Sequence, residues 1–251
     1  MNAYSSLEAS LHDVFWATDG PPIELPLLRD FLQNHPGRSL EVGCGSGRLL
    51  MPLFEEGFAV EGLELSQDML DLCRKNHPSS AVVLHHGSMD VWQGSQDYAS
   101  IIIPAFTLQL SENPLVTLQH LKGLLADGGA LYFSAFTPLA EIVGELPENE
   151  WYPDHFSPLD ADRVATVHTR HGIDREAQVL LREHHYQIID KSGRTLEEHH
   201  SQQKIRWYTR REWKSHLEQA GFVIETQIPD FKPLRKSLAQ AQILSTIARK
   251  K

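Results

Sequence analysis

Short apolar segments alternate with amphipathic segments through the first half of this chain. Five apolar segments have the length and composition of buried strands: Ser39–Gly43, Ala59–Leu65, Ala81–His86, Ser100–Ile103 and Ala130–Phe136. Helical periodicity predicts three helices between them: Gly47–Glu56, Gln67–Asn76 and Leu115–Ala126. Alternation of this kind is typical of βαβ units, whose crossover helices cover both faces of a parallel sheet. We therefore predict an α/β, doubly wound, Rossmann-like fold with a mostly parallel sheet.

The second half of the chain has a different pattern. Residues 137–152 are rich in Pro, Gly and Glu, which predicts a loop or a short lid helix. Two strand-like segments, Gln178–Asp190 and Thr195–Trp207, flank the turn residues Asp190-Lys191-Ser192-Gly193. This pattern predicts a small antiparallel β insert after the fifth strand of the main sheet.

The C-terminal part returns to the main sheet. Thr209 is a predicted N-cap for the helix Arg210–Ala220, which Gly221 ends. The segments Phe222–Ile228 and Ala241–Ala248 bring the predicted sheet to seven strands, with the last strand antiparallel. We expect N-terminal helices and the core over residues 1–138, a lid and the insert over 139–208, and the C-terminal completion over 209–251.

A glycine-rich turn, Leu40-Glu41-Val42-Gly43-Cys44-Gly45-Ser46-Gly47-Arg48, follows the first predicted strand. A phosphate-binding P-loop requires Lys-Ser or Lys-Thr after the last glycine, and Arg48-Leu49 stands there instead. A dinucleotide-binding turn places its third glycine where Arg48 lies. The observed spacing disfavours both ligands, although a turn without any ligand has the same glycines.

Two carboxylates accompany this turn. Glu41 precedes the glycines, where it can attract a ligand's ammonium group while backbone N–H groups meet a carboxylate. Glu64 ends the next strand, where an acid can accept hydrogen bonds from two ribose hydroxyls. The pattern indicates a ligand that combines an amino acid with a nucleoside, and a surface position for Glu64 is the simpler alternative.

Several segments in order resemble one family. The segments LEVGCGSG, VEGLELSQDMLDLCRKN, Gly87-Ser88-Met89-Asp90, IIIPAFTLQ and LLADGGALYFSAF are similar to class I S-adenosylmethionine-dependent methyltransferases acting on small molecules. The resemblance covers about residues 38–138 and extends more loosely to the C-terminal elements. It implies S-adenosyl-L-methionine as the cofactor.

The resemblance also implies roles for individual residues. The methionine part of the cofactor would lie against the glycine turn, Glu64 would hold the ribose, and the adenine would lie between Leu65 and Met89. Many relatives have Asp where Ser88 stands, so the adenine amino group would need Asp90 or a backbone group. The cofactor-binding residues implied are Glu41, Gly43, Cys44, Gly45, Glu64, Leu65, Ser88, Met89 and Pro104.

Substrate-side residues are implied in the same way. Pro104-Ala105-Phe106-Thr107 would line the boundary between cofactor and acceptor, so Phe106 and Thr107 are predicted to contact the acceptor. The N-terminal segment and the insert cover the substrate in such enzymes, which adds Trp16, Trp151 and Tyr152. His155 is our candidate catalytic or orienting residue, and a surface histidine is the alternative.

Histidine pairs in the insert raise the question of a metal. The pairs His184-His185 and His199-His200 lie nearly opposite each other on the predicted hairpin, and four imidazoles there could hold zinc. Adjacent residues on a strand point to opposite faces, however, so at most two of these imidazoles share a face. A polar hairpin surface without a metal is the expectation.

Net charge and composition limit the classes of partner that we expect for this chain. The formal net charge of −10 disfavours nucleic acid, whose binding relies on Lys and Arg. The apolar runs are too short to span a bilayer, no signal peptide is evident, and two cysteines form no disulfide framework. We expect a cytoplasmic protein with a small-molecule acceptor, no nucleic acid, no membrane and a homodimer as the candidate assembly.

The predicted function is methyl transfer from S-adenosylmethionine to a small molecule, with an amine nitrogen favoured as the acceptor. Nucleic-acid amino methyltransferases commonly carry Asn/Asp-Pro-Pro-aromatic after the fourth strand, whereas this chain has Ile103-Pro104-Ala105-Phe106. The alternatives are a small-molecule O-methyltransferase, an NAD-dependent oxidoreductase, and a cofactor-binding regulator without turnover.

Overall fold

A computed structural model describes residues 4–17, 20–94, 97–235, 237–238 and 241–251. Its main sheet has seven strands: β1 (Ser39–Val42), β2 (Val60–Glu64), β3 (Leu84–His86), β4 (Tyr98–Ile103), β5 (Leu125–Phe136), β10 (Phe222–Pro229) and β11 (Ile243–Lys250). A second sheet has four strands: β6 (Tyr152–Pro158), β7 (Arg163–Asp174), β8 (Val179–Asp190) and β9 (Thr195–Arg206). The helices are α1 (Ser6–Trp16), α2 (Leu25–Asn34), α3 (Leu50–Glu55), α4 (Gln67–Asn76), α5 (Pro114–Leu124), α6 (Leu139–Val143) and α7 (Arg210–Ala220).

The main sheet has the order β10-β11-β5-β4-β1-β2-β3. Strands β1 to β5 are parallel, and β11 runs antiparallel to both β5 and β10. The predicted doubly wound α/β sheet with an antiparallel last strand and an antiparallel insert is therefore confirmed. Because the parallel strands end at one edge, the segments after β1, β2, β3 and β4 meet there.

Two apolar layers cover the main sheet. One layer joins Leu118, Leu121 and Trp213 from α5 and α7 to residues of β4 and β5. The other joins Leu28 and Phe31 from α2 to residues of α3, β2, β4 and β5. Burial on both faces explains why the central strands have continuous apolar runs rather than alternation.

The predicted boundaries of the helices α4 and α7 are confirmed, and each of these helices is capped at its start. The Ser66 hydroxyl accepts from the Met69 N–H at the start of α4, and Thr209 and Glu212 form a reciprocal capping box at the start of α7. Gly221 ends α7 in the left-handed conformation, with φ of +85°. These groups satisfy backbone donors and acceptors that a helix leaves unpaired at its ends.

Some predicted boundaries are wrong. The helix α5 ends at Leu124 rather than Ala126, because Leu125 already pairs with Tyr98 in the sheet. The helix α3 begins at Leu50 rather than Gly47, and β3 begins at Leu84 rather than at residue 81. No strand was predicted at residues 152–158, which form the edge strand β6.

The insert and α1 pack against each other over the carboxyl edge of the main sheet. Leu7, Leu11 and Phe15 of α1 form an apolar cluster with β7 and β8 residues such as Val167 and Ile188. Alternate residues of β7 from 165 to 171 are buried, which defines an inner face toward the core and an outer face toward solvent.

The N-terminal segment is also fastened to the main-sheet side. The Ser66 hydroxyl donates to the Tyr4 carbonyl oxygen at 2.6 Å, and the Ser6 N–H donates to Asp68 Oδ2 at 2.7 Å. The Ser46 hydroxyl of the glycine turn donates to Asp13 Oδ1 at 2.6 Å. Helix α1 thus joins the insert to the loops that follow β1 and β2. Among the described residues, every helix is too short or too polar to cross a bilayer.

Candidate active site

The glycine turn is held close to the segment that follows β4. Gly43 has φ of +76°, and a Cβ there would lie 2.5 Å from Thr107 Cγ2. Gly47 has φ of +88°, and a Cβ there would lie 2.8 Å from Cys73 Sγ. The first glycine therefore permits approach of the β4 loop, while the third permits packing on α4.

Glu64 ends β2 with both carboxylate oxygens engaged by the backbone. Its Oε2 accepts from the Gly45 N–H at 3.0 Å, and its Oε1 accepts from the Ser66 N–H at 2.8 Å. The carboxylate thus bridges the glycine turn and the start of α4. Carboxylate oxygens keep spare acceptor capacity after one hydrogen bond each, so ribose hydroxyls can still donate to Glu64.

Glu41 is the most unusual group at the site. Its side chain is 1% exposed, and its Oε2 is buried without a hydrogen-bond partner. Burial raises the pKa of Glu41 well above its usual range, and the nearby Glu24 carboxylate raises it further. A buried, unpaired acid costs free energy that a cationic ligand group would recover, so this carboxylate suits an ammonium group.

Glu24 is a second buried acid that the sequence reasoning missed. Its Oε1 accepts from the Tyr132 hydroxyl at 2.8 Å, and its Oε2 accepts from the Ala105 N–H at 3.1 Å. Burial raises the pKa of Glu24, with hydrogen bonds and the Arg48 guanidinium opposing that rise. The carboxylate therefore holds the backbone directly after β4.

That backbone is strained. Ala105 and Phe106 are consecutive residues with φ of +50° and +64°, in the left-handed region that residues other than glycine rarely adopt. The Phe106 ring packs on Phe136 with ring centroids 4.9 Å apart. Strain of this kind persists only where the surroundings hold it, and it is concentrated at functional sites.

The residues predicted to contact adenine lie at the ends of β2 and β3. Leu65 is 64% exposed directly after Glu64. Met89 is half-buried against the core, and the Ser88 hydroxyl accepts from the Asp90 N–H at 3.2 Å. Asp90 Oδ1 accepts from the Ser111 hydroxyl at 3.0 Å, so this oxygen is directed to the start of α5.

Two other cofactor-side predictions concern buried residues. Cys44 is 4% exposed, and burial raises its thiol pKa well above the usual range. Its Sγ would lie 2.6 Å from a Cβ at Gly62, so the thiol packs on β2. Pro104 is buried at the end of β4. For Cys44 and Pro104, the backbone is the part available to a ligand.

A polar network crosses the inner face of the insert. The Thr169 hydroxyl contacts His184 Nδ1 at 2.9 Å and donates to Asp154 Oδ2 at 2.5 Å. Gln203 hydrogen-bonds both His184 and the Tyr4 phenol. Burial lowers the pKa of His184 to about 4, so this imidazole is neutral near pH 7. The network thus supplies several hydrogen-bonding groups above the carboxyl edge, one of which is a neutral imidazole.

Tyr186 and Glu8 extend the same polar face. The Tyr186 hydroxyl donates to Glu8 Oε1 at 3.1 Å, while the Tyr4 N–H donates to Glu8 Oε2 at 2.7 Å. Burial and then the Glu8 carboxylate raise the pKa of the Tyr4 phenol, with Glu64 contributing in the same direction. The Tyr4 phenol is therefore close enough to both Glu8 and Glu64 for their negative charges to raise its pKa.

The predicted substrate residues fall in three places. Phe106 and Thr107 lie at the carboxyl edge, and Tyr152 pairs with Thr169 on the inner face of the insert. Trp16 is 41% exposed, with the Arg48 guanidinium 4.4 Å above its ring. The Trp151 ring packs on Arg170 on the outer face of the insert, opposite the polar network.

His155, the predicted catalytic residue, lies on the edge strand β6. Its side chain is half exposed, and its ring stacks on Phe15 of α1 with centroids 5.5 Å apart. His184 is more buried and is hydrogen-bonded on both sides. No sequence signal separated His184 from the other histidines, because only the strand register shows that it faces inward.

Known proteins similar to this chain are methyltransferases. The family model described as "Methyltransferase domain" matches residues 23–227. A dTDP-3-amino-3,6-dideoxy-alpha-D-glucopyranose N,N-dimethyltransferase of Streptomyces fradiae is 27% identical over 234 residues, covering 88% of this chain and 86% of that protein.

Two solved structures have the same architecture. The CcbJ methyltransferase from Streptomyces caelestis matches with a TM-score of 0.77 at 22% identity, covering 99% of this chain and 98% of that one. CalS10, an amino pentose methyltransferase from Micromonospora echinaspora solved with S-adenosylmethionine bound, matches with a TM-score of 0.70 at 19% identity, covering 100% and 99%. At these identities, the likeness establishes the fold.

Proposed function

The chain belongs to the methyltransferase-domain family, and from that premise we propose that it transfers a methyl group from S-adenosylmethionine to an amine nitrogen of a small polar molecule. The acceptor class follows the relative from Streptomyces fradiae, whose name specifies N,N-dimethylation of an amino sugar nucleotide. That alignment covers most of both chains, so it includes the insert as well as the core.

The observation that carries the proposal is the unpaired buried carboxylate of Glu41 beneath the glycine turn. S-adenosylmethionine has an ammonium group, which would neutralise this carboxylate directly or through water. Glu64 would accept from the ribose hydroxyls, and Leu65 and Met89 would enclose the adenine. Gly43, Cys44, Gly45, Ser88 and Pro104 would contribute backbone and edge contacts.

When bound, the cofactor supplies a methyl group already activated on a sulfonium. The protein's part is then to position the acceptor nitrogen in line with that methyl group and to exclude water, which can lower the barrier by about 7–11 kcal/mol. The strained backbone at Ala105 and Phe106, fastened by Glu24, would shape the boundary on which the acceptor lies.

Acceptor recognition would fall to the insert. The polar network of Asp154, Thr169, His184 and Gln203 offers hydrogen-bond donors and acceptors to hydroxyl groups of a sugar. A neutral amine loses its proton after transfer, so a strong general base is not required. His155 stays a predicted orienting residue on the adjacent edge strand, and Trp16, Phe106, Thr107 and Tyr152 stay predicted acceptor contacts. The acceptor contact predicted for Trp151 is not part of this proposal, because its ring lies on the outer face of the insert.

Membership of the methyltransferase family overturns the NAD-dependent alternative. Two alternatives stay distinguishable by experiment: O-methylation, in which a hydroxyl replaces the amine, and a regulator that binds the cofactor without turnover. We further propose a cytoplasmic protein that acts without nucleic acid. The domain division at residues 138 and 208 and the homodimer remain predictions, the latter checked by light scattering.

Isothermal titration with S-adenosylmethionine tests the cofactor assignment. We expect saturable binding that Glu64→Ala weakens by tenfold or more, because the ribose loses its acceptor. Glu112→Ala removes an exposed carboxylate elsewhere and serves as the matched control with unchanged affinity. Absence of binding by folded protein would overturn the cofactor assignment.

Mass spectrometry of a reaction panel tests the acceptor. Amino sugars, their nucleotide-linked forms and matching sugars with a hydroxyl in place of the amine are incubated with cofactor and enzyme. A mass gain confined to amines supports N-methylation. A gain on hydroxyls replaces it with O-methylation, and cofactor binding without turnover across the panel favours the regulator.

A further inference from the structure

The outer face of the insert carries a row of three histidines. His168 of β7 lies directly opposite His185 of β8, and His185 lies directly opposite His200 of β9. Side chains of directly opposed residues in an antiparallel ladder share one face, with Cβ atoms about 4.5–5.5 Å apart. Glu198, two residues before His200, points to the same face.

The side-chain ends of this row converge. A ligand atom from each of His185, Glu198 and His200 lies within 4.8 Å of the other two. His185 Nε2 is 3.1 Å from Glu198 Oε2, and the rings of His185 and His200 stack at 4.0 Å with an interplanar angle of 12°. Four-coordinate zinc has bonds of about 2.0–2.2 Å to nitrogen and oxygen, so the two stacked rings would rotate to direct one nitrogen each at a shared ion.

Trp151 supports the two imidazoles from one side. Its ring meets His185 and His200 edge-on, with centroids 6.2 Å and 6.3 Å apart. The Arg170 guanidinium lies 5.0 Å above the same indole ring and also pairs with Glu183. Trp151 thus shields one side of the histidine pair, while Glu198 is 60% exposed and leaves an approach from solvent.

We propose that His185, His200 and Glu198 form a binding site for a divalent transition-metal ion, separate from the active site and best matched by Zn²⁺. Two imidazole nitrogens and one carboxylate oxygen are ligands that suit zinc, with water completing four-coordination. Mg²⁺ and Ca²⁺ prefer oxygen ligands and would bind poorly.

The site is independent of the proposed methyl transfer. His184, adjacent in sequence to His185, faces inward to the polar network, whereas the metal ligands face outward. The ion would join β8 to β9 across their ladder, and an ion that binds the folded state alone raises its stability. The sequence alone favoured a hairpin surface without a metal. The strand register, which places His185 and His200 on one face, and the nearby Glu198 carboxylate are the reasons for proposing a metal site instead.

Titration of chelator-treated, metal-free protein with Zn²⁺ in a calorimeter tests the site. We expect one saturable ion per chain and a rise in the thermal unfolding midpoint with Zn²⁺. His185→Gln and His200→Gln should each weaken the affinity by tenfold or more, and Glu198→Gln by a smaller factor. His77→Gln, which removes a histidine outside the insert, is the matched control with unchanged affinity.

Binding should also weaken as the pH is lowered, because protons compete with the metal for imidazole nitrogen. Circular dichroism of the metal-free variants checks their folding, which surface substitutions should preserve. The proposal fails if Zn²⁺ binding is not saturable, if it is as tight in folded His185→Gln and His200→Gln as in wild type, or if Mg²⁺ binds equally well. None of these readouts uses methyl transfer.

Discussion

Strands of the seven-stranded sheet bury side chains on both faces, whereas the four-stranded insert buries chiefly the face that meets α1. All four residues of β1 are buried, while β9 buries Ile205 alone of its twelve residues. The stability of the seven-stranded region therefore depends on apolar packing and backbone geometry. A single added methyl group is enough to change it. The four-stranded insert presents polar side chains that are mostly exposed or partly exposed.

Adding the same methyl group to a glycine in each region shows how strongly the stability of that region depends on close packing. Gly43→Ala should destabilise the protein by about 2–5 kcal/mol, because left-handed strain adds to overlap with Thr107. Gly193→Ala in the β8–β9 turn has similar strain, with φ of +83°, but nothing within 4 Å of the added Cβ. It should cost about 1–2 kcal/mol.

Urea unfolding of both glycine variants gives these free energies. Cofactor affinity should fall in Gly43→Ala and stay unchanged in Gly193→Ala. Equal losses of stability in the two variants would show that the close approach of Thr107 to the glycine turn contributes nothing.

Removing the charge of Glu41 tests the buried acid. A raised folded-state pKa gives stability that is present below the ordinary carboxyl pKa and is lost as pH rises through the folded value. Cofactor-free Glu41→Gln should therefore match wild type near pH 4.5 and exceed it at higher pH, by up to about 1–3 kcal/mol. Unfolding measured across pH 4.5–8 checks this, and a pH-independent difference would contradict it.

The same variant should bind S-adenosylmethionine at least tenfold more weakly, because an amide cannot neutralise an ammonium group. Greater stability together with lower affinity would identify Glu41 as a binding group rather than a structural one. Unchanged affinity would remove it from the proposed site.

An ion pair in each region extends the comparison. Arg38 pairs with Glu61 at the start of the main sheet, where His85 and Tyr98 also hydrogen-bond that carboxylate and its pKa falls to about 2. Arg38→Met should lower the free energy of unfolding by about 1–2 kcal/mol. This loss is smaller than the one expected for a fully buried pair, because the Arg38–Glu61 pair is partly exposed.

In the insert, Lys191 and Asp162 form an exposed pair at 2.7 Å, and Lys191→Met should change stability by less than about 0.5 kcal/mol. Thermal and urea unfolding in low and high salt compare the two variants. A larger loss of unfolding free energy in Lys191→Met than in Arg38→Met would contradict the inference that the ion pair of the main sheet is the more stabilising one.

Thr169→Val tests whether the insert serves the acceptor. The isosteric change removes the hydroxyl that contacts both Asp154 and His184, at a cost of about 1 kcal/mol. We expect a several-fold higher KM for the acceptor with unchanged affinity for the cofactor. Thr195→Val, at the exposed start of β9, is the control, and a changed cofactor affinity in Thr169→Val would contradict the division of roles.

The sequence was most informative about the region in which local pattern and tertiary packing agree. Apolar runs, caps and glycine spacing predicted a doubly wound, mostly parallel sheet and placed Glu41 and Glu64 beside the turn. It was less informative about β6, because Pro153 and Pro158 within that segment favour a loop.

Contacts between residues that are far apart in the chain could not be predicted from local sequence patterns either. Glu24 precedes a leucine-rich helix and resembles a surface acid, yet its partners Ala105 and Tyr132 lie 81 and 108 residues away. The histidine pairs of the insert were recognised as nearly opposite. The exact register, which selects His185 and His200 for one face and His184 for the other, required the structure.

The left-handed backbone at Ala105 and Phe106 has a consequence for engineering. Glycine occupies such conformations without the strain that a side chain meets. A selection for heat tolerance alone would therefore favour glycine at residue 105, where the side chain is small and exposed. The same replacement would loosen the segment beside the proposed acceptor, so catalysts evolved only for robustness would risk losing turnover at this position.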